Sequence, residues 1–214
     1  VNTAEALDYY LAKDVLPAAK ALYRQIMDYF IKHKQGVLSE FAAGFRRCCT
    51  FLQEQRAQSN EHINASYIQY SLLLSQVLLS RPAYLIEAFD DGYYLGKQLA
   101  AVTYHPYWLF DPLFAFYEQI KQAAKKYVQK ISLLEVERIF LIELKQYEKL
   151  MAFIAKEAIE AILDTPEYEH LPYEGEVQFR IGVFRGETEL LFIKNEKNDA
   201  VWREIHAILS HQTR

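Results

Sequence analysis

Apolar residues recur every three to four positions along most of the chain, and breaks in that recurrence divide it into segments. Leu7, Leu11, Val15, Ala18, Leu22 and Ile26 fall on one face of a helix. Asn2 can cap this helix, and Glu5, three residues on, completes a capping box. Pro17 lies inside the pattern. Its ring clashes with the carbonyl four residues back, so the helix is expected to kink or restart there. Gly36 should end the segment, after a basic turn of Lys32, His33 and Lys34 that suits the helix dipole. A second helix is predicted from about Leu38 to Ala57, with Phe41, Phe45, Cys48 and Leu52 on its apolar side and Cys49 beside them. A third, from roughly Glu61 to Leu79, follows the polar turn Gln58-Ser59-Asn60.

Arg81-Pro82 stops the helical period. Residues 83–89 are rich in strand formers and run through Asp90-Asp91-Gly92 into Tyr93-Tyr94-Leu95-Gly96, which reads as a hairpin over about 83–96. Residues 97–110 read as irregular and aromatic. Asp111-Pro112 then opens a helix to about Lys130, with Asp111 as N-cap. Ser132 and Glu135 form a second capping box, opening the longest predicted helix, to about Leu163. Leu133, Phe140, Tyr147, Ile154 and Ala161 recur every seven residues on it, with Leu144, Met151 and Ala158 offset by four, as at a bundle seam.

After Asp164-Thr165-Pro166 the period changes to two. Val177, Phe179, Ile181 and Val183 alternate with Gln178, Arg180 and Gly182; Arg185-Gly186 turns, and Thr188 to Lys194 returns. Asn198 is expected to cap a closing helix with Val201, Trp202, Ile205 and Leu209 on its apolar side. These elements predict a mainly α, α+β fold: a multi-helix bundle with one or two β-hairpins that can form a small antiparallel sheet packed on the bundle. The expected organisation is a single domain over 1–214. It has a helical body at 1–163 and a hairpin and helix at 176–210, with the 164–175 loop as the best internal boundary.

Composition narrows the class. A hydrophobic fraction of 51% with 7 Gly and 6 Pro argues against disorder and against a turn-rich β-sandwich. The net charge of −4 carries no basic excess of the kind nucleic-acid binders display. Cys48 and Cys49 are adjacent, a spacing that strains a disulfide, so they read as free thiols of a cytoplasmic protein. The opening residues do not resemble a signal peptide, and no apolar run is long enough to span a membrane.

Candidate chemistry concentrates between Asp90 and Asp111. Tyr93, Tyr94, Tyr104, Tyr107 and Trp108 combine apolar bodies with polar handles, as docking surfaces do. His105 is a candidate acid or base with Asp90 or Asp91 as its partner, although the same aspartates also suit a turn. Lys121, Lys125, Lys126 and Lys130 form a basic stripe that can meet phosphates or simply complement a helix dipole. Arg46 and Arg47 stand next to the cysteines, where they can activate a thiol. The one Glu-x-x-His spacing, Glu167 with His170, lies in a Pro-flanked loop, so no metal and no cofactor is expected. With 16 Tyr and no catalytic signature, the chain reads first as a non-catalytic interaction or assembly module that docks a protein partner or its own copy. An enzyme using His105 with Asp90 or Asp91 in a pocket between hairpin and bundle is the alternative. Nucleic-acid binding through the lysines ranks third.

Overall fold

Both capping boxes form as the sequence predicts. In a computed structural model of the chain, which describes residues 2–58, 63–79, 81–127, 130–202 and 204, Asn2 Oδ1 accepts from the Glu5 amide at 2.8 Å while Glu5 Oε2 accepts from the Asn2 amide at 3.0 Å. Ser132 and Glu135 exchange the equivalent bonds at 3.2 and 2.6 Å. The fold is α+β, mostly helical with one five-stranded mixed sheet. Its residues group into two compact units, Val1–Leu38 with His105–Phe153 and Ser39–Tyr104 with Ile154–Arg214.

The first unit is helical. α1 (Thr3–Tyr10) passes through a widened π turn at Leu11–Val15 into α2 (Leu16–Gln58). The Leu16 amide bonds back five residues to the Leu11 carbonyl, so Pro17 follows a loosened turn that makes room for its ring. α2 does not end at Gly36. Its one non-helical residue is His33 (φ −117°, ψ 22°), and the buried Val37 and Leu38 carry the apolar period straight across the glycine. α4 (Tyr107–Ala124) begins four residues before Asp111, which therefore does not cap it. Pro106 occupies the N-cap, its carbonyl accepts the amides of Leu109 and Phe110, and Pro112 lies inside the helix. α5 (Leu133–Glu157) supplies Phe140, Leu144, Tyr147 and Met151 to buried positions, while Leu133, the first residue of the seven-fold row, is 53% exposed. The predicted single helix to Leu163 breaks at Ala158, and α6 (Ile159–Leu163) resumes it.

The second unit is built on the sheet. Its strands are β1 (Tyr67–Leu72), β2 (Tyr84–Phe89), β3 (Gln98–Tyr104), β4 (Val177–Val183) and β5 (Thr188–Lys194), in the order β3-β2-β1-β4-β5. β1 is the centre of the sheet, antiparallel to β2 and parallel to β4, so it joins the two hairpins. The third predicted helix is therefore corrected. Within its span lie β1 and the short α3 (Leu74–Leu78), while Glu61 and His62 fall outside the described residues. A central strand covered on both faces loses the alternation that marks a strand: Gln69 and Ser71 are as buried as Ile68 and Leu72. The first hairpin also shifts. Tyr93–Leu95 form a 3₁₀ turn, and the returning strand is β3, in the stretch expected to be irregular.

One face of the sheet packs on the second half of α2. Phe41 stacks on Tyr70 with ring centres 4.3 Å apart, and Phe45 meets Phe179 at 5.5 Å. Gly44 lets the helix come close, because a Cβ there would lie 2.6 Å from Ile86 Cδ1. The tail carries α7 (Pro166–Glu169) and α8 (196–202). α8 is capped by Asn195, whose Oδ1 accepts the Asn198 amide at 2.8 Å, rather than by Asn198; Ile205 and Leu209 lie outside the described residues.

Candidate functional site

In the first unit α2 is apolar around far more of its circumference than one packed face needs. Leu22, Ile26 and Phe30 are buried, as a core-facing stripe should be. Beside them Leu16 (54% exposed), Tyr23 (53%) and Ile31 (70%) face solvent, with Met27 half-buried between. Spacings of seven and eight residues at about 100° each keep these side chains within roughly 80° of one another, in a stripe about 22 Å long. The exposed Lys20 interrupts it between Leu16 and Tyr23, and the exposed Arg24 and Asp28 lie along one side. Tyr23 also stands close enough to Tyr147 of α5 to affect it. The Tyr147 hydroxyl is pushed up by burial first, then by Glu143 and Tyr23, and it is buried without a hydrogen-bond partner.

A second aromatic group lies near the helical break. Tyr29 stacks on Trp108 (5.9 Å, 5° between planes) and contacts His33 at 4.5 Å, around a cleft of about 290 Å³ that Lys32 and Pro112 also line. Trp108 Nε1 is buried without a hydrogen-bond partner, so its donor is turned away from anything entering the cleft. Tyr107 is 61% exposed and stacks on the exposed His105 at 5.7 Å.

The other members of the predicted site belong to the second unit and serve its sheet. Asp90 spends both carboxylate oxygens on the β2–β3 connection, accepting from the amides of Gly92 at 3.0 Å and Lys97 at 2.9 Å, and Asp91 is exposed in the same turn. His105 follows the opposite end of β3, so about 20 Å of strand separates it from these aspartates along the chain. Tyr104 is in the core, ring-to-ring with Phe41 and Tyr84. Tyr93 and Tyr94 fold over the sheet face away from α2. The Tyr93 hydroxyl donates to Gln69 Oε1 at 2.9 Å, and that of Tyr94 lies 3.4 Å from Ser71 Oγ. Beneath them Glu87, 2% exposed, accepts from Gln98 at 2.7 Å and Ser71 at 3.3 Å. Burial raises its carboxyl above the usual range, and the two hydrogen bonds hold it partly back.

One centre escapes the sequence reading. Lys194 ends β5 at 3% exposure, with its Nζ 2.8 Å from Asp199 Oδ2 and 3.8 Å above the Tyr168 ring; the Tyr173 ring lies at 5.1 Å. The Tyr168 hydroxyl donates to the other Asp199 oxygen at 2.6 Å. The group lines a cavity of about 350 Å³ with Thr165, Glu169 and Trp202. The ion pair and the two π faces hold the Lys194 side chain in place between β5 and the aromatic rings. Nothing in the sequence marks it: β5 does not alternate, and only the fold places Lys194 opposite Val177.

The lysine stripe is divided by its partners. Lys121 bonds Glu118 and Lys126 bonds Asp14, each at 3.0 Å, and Lys125 and Lys130 lie beyond the end of α4. Cys48 and Cys49 are buried and free; burial, with Glu87 adding to it, pushes the Cys48 thiol up to about 12, opposite to activation. Glu167 pairs with Arg46 at 3.4 Å while His170 Nδ1 lies 2.8 Å from the Pro166 carbonyl, and no cluster fit for a metal ion occurs among the described residues. Nor, among those residues, is any helix long and apolar enough to cross a membrane. Compared with protein-family models, with curated proteins and with solved structures, the chain matches none.

Proposed function

We propose that the chain is a non-catalytic interaction or assembly module of a reducing, cytoplasmic compartment, and that it docks a protein through the solvent-facing side of α2. The observation that carries this reading is the stripe of Leu16, Tyr23 and Ile31, each more than half exposed and aligned on one helix. Large apolar side chains exposed together on one helix, even with Lys20 among them, are a feature of association surfaces. The aromatic surface expected from the sequence contributes less. Tyr93, Tyr94 and Tyr104 are engaged within their own unit, while Tyr107 and Trp108 stay near solvent in the unit that carries the stripe. The polar groups of the second unit support the same reading, since the buried Glu87 and Lys194 and the partly exposed Asp90 are held by neighbours that a reacting group would have to leave.

The test is a photoreactive side chain at position 23, introduced in the cells that make the protein, with the exposed position 146 as control. Docking through α2 gives a discrete adduct at 23 that disappears when Leu16 and Ile31 are both changed to Gln. No adduct at 23 above the control removes the reading.

A further inference from the structure

We propose that Tyr93–Leu95 is a pH-sensitive strap, closed over the sheet while the Glu87 carboxyl keeps its proton and open once that proton leaves to solvent. The strap lies in the second unit, so the proposal stands apart from docking on α2. Its floor carries the argument. Gln69, Ser71 and Glu87 are buried together on the sheet face away from α2, at a cost that only hydrogen bonds offset. Two donors reach the carboxyl: Gln98 Nε2 meets Oε1 at 2.7 Å and Ser71 Oγ meets Oε2 at 3.3 Å. A neutral acid is well served there, since its own O–H can donate to Ser71 instead. A carboxylate has about four acceptor sites, and burial under Tyr93 and Tyr94 withholds the water that would fill the rest.

The strap is held closed lightly. Tyr93 has φ 53°, a left-handed conformation that an aromatic residue adopts at a cost, so unwinding the turn relieves it. Gly92 and Gly96 bracket the three residues, while Asp90 pins the base through the Gly92 and Lys97 amides. Tyr93 donates to Gln69 at 2.9 Å, but the Tyr94 hydroxyl is held only at 3.4 Å, by Ser71 Oγ and by the Arg185 amide that donates to it. The charged and titratable groups around Glu87 come from several elements. Arg185, on the β4–β5 turn, draws its proton off, and burial holds the proton on. Cys48 of α2 acts from the other face and stays a neutral thiol, and Arg180 of β4 acts on Tyr93.

Amide hydrogen exchange on the purified chain tests the strap. Unwinding it frees the Leu95 and Gly96 amides, which bond to the carbonyls of Gly92 and Tyr93 when it is closed. Their rates at pH 4 to 7, each divided by the intrinsic rate at that pH, give the opening constant. In the open strap the carboxyl titrates near its ordinary 4.5, and in the closed one higher. The opening constant should therefore climb from about that pH by up to about tenfold per unit, then level off at the closed-state value. Glu87→Gln should remove the climb. Arg185→Asn, which takes away the charge that favours ionisation but keeps a residue at ease with a positive φ, should move the levelling point to higher pH. Circular dichroism confirms that each variant folds. A flat profile in the parent overturns the proposal, as does the same climb in Glu87→Gln. Should Glu87→Gln not fold, the parent and Arg185→Asn decide: a climb whose levelling point ignores Arg185 does not come from Glu87.

Discussion

Gly44 offers the sharpest test of how α2 meets the sheet. An added Cβ would sit 2.6 Å from Ile86 Cδ1, where ordinary contact begins at 3.4 Å, so one of the two must move by close to 1 Å. Ile86 is fully buried in β2, between β1 and β3, and cannot swing to solvent. Overpacking of this kind costs about 1–3 kcal/mol. Alanine regains about 1 kcal/mol of helix propensity over glycine, leaving Gly44→Ala destabilised by roughly 0–2 kcal/mol. Ile86→Val removes the Cδ1 atom and alone should cost about 0.5–1.5 kcal/mol. Combined with Gly44→Ala, the same change supplies the missing space and should cost almost nothing further. Urea unfolding followed by circular dichroism, run on the two single variants and the double, should give a favourable coupling of about 1 kcal/mol or more. Effects that add within about 0.5 kcal/mol would refute the close approach of α2 to β2.

Two further outcomes concern the buried polar groups. Burial raises the Glu87 carboxyl, so the native state holds its proton more tightly than the unfolded chain. Its contribution to stability is then greatest below the ordinary value of 4.5 and declines as pH rises through the native one. Glu87→Gln should gain stability over the parent progressively from pH 4 to 7, and urea midpoints that run parallel across that interval would contradict the assignment. Lys194→Met strands the Asp199 carboxylate and should cost about 3–5 kcal/mol, a large part of it recovered when Asp199 is also changed to Leu. A single variant as stable as the parent would mean that the pair at 2.8 Å does not form in solution.

The legible parts of the fold are those where local rules act alone. Asn2–Glu5 and Ser132–Glu135 satisfy helix ends with their own neighbours, and β4 alternates in burial because one face is less covered than the other. Legibility fails where tertiary structure overrides local signals. β1 is covered on both faces, so its apolar content matches a helix as well as a strand, and its partner β4 lies more than a hundred residues away. Gly36 and Pro112 look like boundaries but lie inside helices that carry buried residues on both sides of them. The candidate site follows the same division. Spacing brought forward an aromatic stretch whose members have different tasks: Tyr104 fills a core, Tyr93 and Tyr94 cover a polar sheet face, and Tyr107 stays in solvent. Leu16, Tyr23 and Ile31 carry no signal in sequence beyond being apolar on a helix. Only their exposure separates them from Leu22 and Ile26 one turn away.

That exposure is the point on which the account turns, and the stability of the triple variant Leu16→Gln, Tyr23→Gln, Ile31→Gln measures it. Side chains that serve a partner rather than their own core can be made polar at little cost, so the urea midpoint should move by no more than about 1.5 kcal/mol in all, about 0.5 kcal/mol per surface site. A loss of several kcal/mol, on the scale of core truncations, would mean that the stripe belongs to the protein's own packing and docks nothing.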